Sequence, residues 1–222
     1  MSALPIADRL PLAVVLFATT LGAYYFSGVS AHDLHAPIST PLDATVPFLP
    51  ASIWVYMPAY YGGFLATLWV TRDRYALRAA GTAFVAITVL ALPFFLLFPV
   101  AAPRPAAPSD GSWTAAFVRW LYDNDPLCNT FPSLHVANAW LCAFIATQSS
   151  RRMGLLLTLN ALAICVSVLM LKQHWAVDIA GGTLLAALGA ATWTAHMVTV
   201  KRPEHKEPEW QLAPLKVPFR RG

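Results

Sequence analysis

The sequence predicts an all-α polytopic membrane protein: a bundle of six transmembrane helices, with a short surface helix in the loop between the third and fourth spans. Three observations carry this. Of the 222 residues, 57% are hydrophobic and 12% charged, about half the charge of an ordinary soluble domain. Mean hydropathy is +0.55. Apolar runs of about eighteen residues or more, the length that crosses a bilayer core, recur along the chain.

The first run is Leu10–Phe26. Val29-Ser30-Ala31 after it resembles a small-residue cleavage site, but the apolar core is long for a signal sequence, so the run reads as a retained span. Ser27–Pro50 follows as a loop rich in Pro, Asp and small residues. The second and third spans are Ala51–Val70 and Ala79–Phe98, joined by a turn holding Arg72, Arg74 and Arg78. Pro99–Pro132 is the second long loop. Within it Trp113–Tyr122 alternates large apolar residues with Ser, Thr and Arg119, the pattern of a short amphipathic helix lying on a membrane surface.

Ser133–Thr147, Met153–Leu171 and Val177–Val200 complete the six spans, with Arg151-Arg152 in the turn between the first two of these. Residues 1–200 thus form one membrane domain, and 201–222 form a polar, basic cytoplasmic tail. Cys142 and Cys165 fall mid-span and Cys128 in a loop. Their spacing suggests neither a disulfide framework nor a metal site.

Charge sets the sidedness. With a cytoplasmic N-terminus and six crossings, Arg9, Arg72, Arg74, Arg78, Arg151, Arg152, Lys201, Arg202, Lys206, Lys216, Arg220 and Arg221 lie inside. Only Arg104, Arg119 and Lys172 lie outside, a strong positive-inside bias. The net charge of +4 therefore reports topology and implies no nucleic-acid partner. A plasma (inner) membrane location fits, and oligomeric state is left open.

Two of the three outside cations sit beside polar motifs. The first motif is Pro103-Arg104-Pro105, the second Pro132-Ser133-Leu134-His135, and the third Lys172-Gln173-His174-Trp175-Ala176-Val177-Asp178. His135 and His174 are 39 positions apart, enough for one helix in, a basic turn and one helix back. All three motifs then meet on the non-cytoplasmic face. Ionisable residues in a membrane segment are costly and mark function by default. Asp178 stands one helical turn after His174, on the same face, where it can orient and polarise the imidazole.

Pro132-Ser133 suits a helix start, whose free N–H groups form an anion site. Arg104, Lys172 and these amides would surround a phosphoryl group. His174 would attack phosphorus, and His135 would protonate the leaving oxygen. Each piece also has a structural reading: Asp178 as a helix cap, Trp175 as an interface belt residue, and Arg104 as an anchor. Their co-location on the face that otherwise repels basic residues favours chemistry. A transporter would place such groups nearer the midplane, on broken helices.

At these residues the chain resembles the type-2 phosphatidic acid phosphatase superfamily. The resemblance rests on Arg104-Pro105, Pro132-Ser133-Leu134-His135 and His174 with Asp178. It implies a phosphohistidine on His174, His135 as acid for the leaving group, phosphate binding by Arg104 and the Ser133 region, and no metal or other cofactor. Three positions depart from the common pattern: Leu97 where a lysine is usual, Leu134 where glycine is, and Val168 where arginine is. Lys172 is read as supplying the missing charge.

With Asp43-Ala44-Thr45-Val46-Pro47-Phe48-Leu49-Pro50, these departures resemble the inositol phosphorylceramide synthase-like branch, whose members move a phospho-headgroup between lipids. Asp43 is read as structural. The leading expectation is a phosphatase acting on a phospholipid or polyprenyl phosphate. A headgroup transferase comes second, and a non-enzymatic membrane transporter or scaffold third.

Overall fold

Apolar runs that must satisfy their own backbone groups become helices. The computed structural model describes residues 5–30 and 34–199, and it folds them into eight helices. These are α1 (Ile6–Ser30), α2 (Pro41–Thr45), α3 (Ile53–Val70), α4 (Arg74–Leu97), α5 (Trp113–Asn124), α6 (Leu134–Ser149), α7 (Arg151–Met170) and α8 (Ala176–Thr199), with a 3₁₀ turn at Pro50–Ser52 before α3. The basic tail at 201–222 lies outside the described residues, as does Ala31 of the cleavage-like triplet.

Every run expected to span is helical, but among the described residues four helices are long and apolar enough to cross a membrane: α1, α4, α7 and α8. Six were expected, and the other two runs, α3 and α6, fall short of that combination of length and hydropathy. Helix α3 is diluted by Tyr56, Pro58, Tyr60 and Tyr61. Helix α6 has 16 residues, so it rises about 24 Å, short of a hydrocarbon core of about 30 Å. It also carries His135 and Asn138.

The helix starts are written in the sequence. Asp73 accepts the Ala76 N–H ahead of α4. Ser112, Ser133 and Ser150 do the same for α5, α6 and α7. Each cap satisfies an N–H that the first turn leaves without a partner.

Helix α6 is the centre of the bundle, packed on α7, α8, α3 and α4, while α4 also packs on α8 and on α1. The buried face of α8 is Asp178, Gly182, Leu185, Ala186, Gly189 and Trp193, one stripe at helical spacing. Its small members let α8 approach α6 closely. A Cβ on Gly182 would lie 2.5 Å from the Ser133 carbonyl oxygen. Outward faces expose Leu65, Trp69, Leu97, Leu155, Leu184 and Val198, an apolar exterior that suits lipid rather than water.

At one end of the bundle the loops are tied together. His35 N donates to Pro99 O, Val100 N to Cys128 O, Ala102 N to Leu127 O and Leu49 N to Met170 O. Ser133 N donates to Asp178 O at 3.2 Å, which joins the N-termini of α6 and α8 directly. This end holds every polar motif singled out in the sequence.

Candidate active site

His174 follows α7 in a tight turn, with its own N–H and that of Gln173 both donating to the Val168 carbonyl. Lys172 occupies the left-handed region, at φ 58°, and this reverses the chain toward α8. Asp178 sits in the first turn of α8. One of its oxygens accepts the Trp175 N–H at 2.8 Å and faces His174 Nδ1 at 3.2 Å. The capping and orienting readings of this aspartate are thus geometrically compatible, because one carboxylate oxygen makes both contacts.

His174 Nδ1 also lies 3.0 Å from the Thr130 carbonyl oxygen. A carbonyl only accepts, and a carboxylate does likewise, so Nδ1 carries a hydrogen, and in the neutral ring the lone pair is then on Nε2. That Nε2 lies 3.1 Å from Ser133 Oγ and 3.5 Å from His135 Nδ1. His174 and Asp178 are 4% and 1% exposed. An imidazole with a fixed tautomer, a free Nε2 and little water around it is equipped to act as a nucleophile.

Ser133 is fully buried. Its Oγ accepts the Val136 N–H, which leaves its own hydrogen free to point at His174. His135 projects from the first turn of α6, and its Nε2 meets the Tyr56 hydroxyl at 2.7 Å. Tyr56 and Tyr60 hold the His135 ring between them, with centroids 4.7 and 4.6 Å away.

Arg104 reaches the same end of the bundle. Its Nε and Nη2 donate to Gln173 Oε1 at 3.0 and 2.6 Å. Its Nη1 donates to the Asp125 carbonyl at 2.9 Å, and its Nη2 pairs with the Asp125 carboxylate. Tyr24 donates to the other Asp125 oxygen at 3.0 Å. Burial pushes the Asp125 carboxyl up, against the pull of Arg104. These bonds use four of the five guanidinium hydrogens, and one on Nη1 remains for a ligand.

Lys172 stands in the turn between α7 and α8. Its ammonium donates to the carbonyls of Asp43 and Val46, at 3.1 and 2.7 Å, and not to the histidine pair. With His174 it borders a small separate cleft of about 210 Å³. Asp43 accepts the Ala176 N–H at 2.7 Å, so it caps the start of α8 across a long stretch of sequence.

A larger cleft of about 610 Å³ opens beside His135, lined among others by Tyr24, Tyr56, Tyr60, Trp120 and Asp125. Sequence reasoning missed Tyr56, Asp125 and the Thr130 carbonyl. Nothing about a tyrosine inside an apolar run, or about a backbone oxygen, announces such a contact. Asp125 carried the only usable signal, as an acid in the same loop as Arg104.

The PAP2 superfamily model matches residues 30–192, a stretch that contains Arg104, Asp125, Ser133, His135, Lys172, His174 and Asp178. The chain belongs to the PAP2 superfamily. No curated protein and no solved structure matches it. The PAP2 match begins at the end of α1, yet α1 contributes Tyr24 to Asp125 and to the wall of the cleft. Membership implies a phosphatase-like lipid enzyme, and the apolar helices fit a membrane protein.

Proposed function

We propose that this PAP2 protein is an integral membrane lipid phosphatase that hydrolyses a lipid phosphomonoester or diphosphate through a phosphohistidine on His174. One observation carries the reading: the Thr130 carbonyl and the Asp178 carboxylate both face Nδ1, so that in the neutral ring the lone pair is on Nε2, toward Ser133 and His135. The His174 Nε2 lone pair attacks phosphorus and the bond to the leaving oxygen breaks. A proton passes from His135 to that oxygen. Water then attacks phosphorus, gives its proton to His135 and breaks the P–N bond, releasing phosphate. The two rings stand too close to hold a phosphoryl group between them, so substrate binding must part them.

In this reading Arg104 and the α6 N-terminus bind the phosphate. The chain crosses six times, with α3 and α6 as the two polar crossings, and the site faces the non-cytoplasmic side. Helix α5 buries Ala115, Val118 and Leu121 and exposes Trp113 and Trp120, which suits a position at the membrane surface.

The test is acid-quench trapping with a ³²P-labelled lipid phosphate. An acid-labile, base-stable label on the wild type, absent from His174→Ala, supports the proposal. Turnover retained by His174→Ala would end it. The cleft beside His135 favours a second reading, headgroup transfer to a lipid hydroxyl in place of water, as in the inositol phosphorylceramide synthase-like branch. A labelled new lipid instead of free phosphate, on adding ceramide or diacylglycerol, identifies that route.

A further inference from the structure

Gln173 is only 3% exposed, and its carboxamide is used on one side. Both hydrogen bonds it receives come from Arg104, at Nε and Nη2. Arginine has donors and no acceptor, so the amide oxygen must face it and the orientation of the carboxamide is fixed. The amide nitrogen is left buried with no hydrogen-bond partner among the described residues. Buried donors are rarely abandoned in this way, and each such case calls for a physical explanation.

The surroundings suggest one. Gln173 directly precedes His174, and both backbone N–H groups close on the Val168 carbonyl, so the two side chains share one rigid turn. The two ends of a carboxamide are roughly 2.2 Å apart, and Oε1 is 2.6 Å from Arg104 Nη2. The orphaned nitrogen is therefore within about 5 Å of the guanidinium. A phosphoryl oxygen that accepts from this nitrogen would sit within Coulomb reach of the Arg104 charge.

We propose that Gln173 is a phosphoryl ligand: its side-chain amide donates to a non-bridging oxygen of the group transferred to His174, while its carbonyl oxygen holds Arg104 in place. This rests on the phosphohistidine reading of the site. It gives the PAP2 centre of this chain a neutral donor beside a guanidinium whose charge Asp125 partly offsets.

The decisive variant is Gln173→Glu, which keeps an acceptor for Arg104 and replaces the NH₂ by an oxygen. If Gln173 served only to hold Arg104, glutamate would hold it at least as well and orthovanadate inhibition would be unchanged. The proposal expects the vanadate inhibition constant to rise at least tenfold, with kcat/KM for a lipid phosphate falling in step. Gln173→Met, near in size and uncharged, removes the donor and the Arg104 acceptor together without adding charge, and should shift vanadate in the same direction.

Folding is followed by gel filtration and thermal unfolding of the detergent-solubilised chain; if glutamate prevents folding, a folded methionine variant with unchanged vanadate affinity overturns the proposal. Vanadate affinity within twofold of wild type in a folded variant overturns the proposal. A wild type that forms no phosphohistidine would bring down the reading of the site and the role of Gln173 with it. A labelled wild type with unchanged variants would bring down Gln173 alone.

Discussion

The carboxylate of Asp43 accepts the backbone N–H of Ala176 at 2.7 Å, so a residue from the first long loop caps the helix that carries Asp178. Its other oxygen closes a box with the Thr40 backbone and hydroxyl. Capping contacts of this kind contribute about 1 kcal/mol. Asp43→Ala should lower the thermal midpoint by a few degrees and reduce turnover, because the start of α8 sets the His174–Asp178 geometry.

The same contact gives a pH signature. Burial raises the Asp43 carboxyl, but hydrogen bonds from Thr40 and Ala176 outweigh it and leave its pKa lowered. A lowered folded pKa means that the contribution is complete above the unfolded value and is lost as pH falls through the folded one. The stability gap between wild type and Asp43→Asn should therefore be open at neutral pH, narrow once the pH falls below the ordinary carboxyl value of about 3.9, and close as it passes through the lower folded one. A gap that persists unchanged in acid would show that the carboxylate charge is not what holds the cap.

Lys172 should behave as a structural residue. Its ammonium bridges the Asp43 and Val46 carbonyls, so Lys172→Ala is expected to cost stability while leaving KM and vanadate affinity within about threefold. Its φ of 58° is unfavourable for a side chain and free for glycine, by about 1 kcal/mol. Lys172→Gly should thus be more stable than Lys172→Ala. Thermal unfolding beside steady-state kinetics reads both, and a large KM effect in the alanine variant would return Lys172 to the phosphate.

The sequence showed where the helices lie because apolar runs and their Ser and Asp caps are local signals. It also collected His135, His174, Asp178, Ser133 and Arg104 at one end, since hairpin arithmetic needs only helix rise. Two of the spans were less legible: α6 has the hydropathy of a membrane segment in part but not the length, and α3 spends polar positions on Tyr56 and Tyr60, which face His135. What stayed hidden was set by tertiary contact. The Lys172 ammonium could reach either the phosphate or the carbonyls near Asp43, and only the fold of the first long loop decides. The Asp125–Arg104 pair and the Thr130 carbonyl depend in the same way on how two loops meet.

His135 is expected to matter in proportion to the leaving group. Tyr56 and Tyr60 brace the ring, and Tyr56 occupies its Nε2, so Nδ1 is the nitrogen directed at His174. Loss of a general acid costs roughly 10²- to 10⁴-fold. His135→Ala should lose that much single-turnover rate on an alkyl phosphate, and less than tenfold on a p-nitrophenyl ester whose anion departs unaided. Equal losses on both substrates would assign His135 to binding or packing instead.

The approach of α8 to α6 sets the distance between the helices that carry Asp178 and His135, and Gly182 is where it is tightest. A Cβ there would fall 2.5 Å from the Ser133 carbonyl, a backbone atom that cannot swing aside, and 3.0 Å from Val136. Gly182→Ala must push the helices apart, at about 1–3 kcal/mol for overpacking. It also pulls on the Ser133 N–H to Asp178 carbonyl bond, so activity should fall more than stability alone explains. Gly62 in α3 provides the contrast, since a Cβ there meets nothing within 4 Å. Gly62→Ala should be neutral or stabilise by about 0.5–1 kcal/mol, through backbone entropy. Thermal unfolding and initial rates of the two variants, side by side, separate a close helix contact from a general intolerance of larger residues: a Gly182→Ala protein as active as Gly62→Ala would mean that the α6–α8 spacing does not control the site.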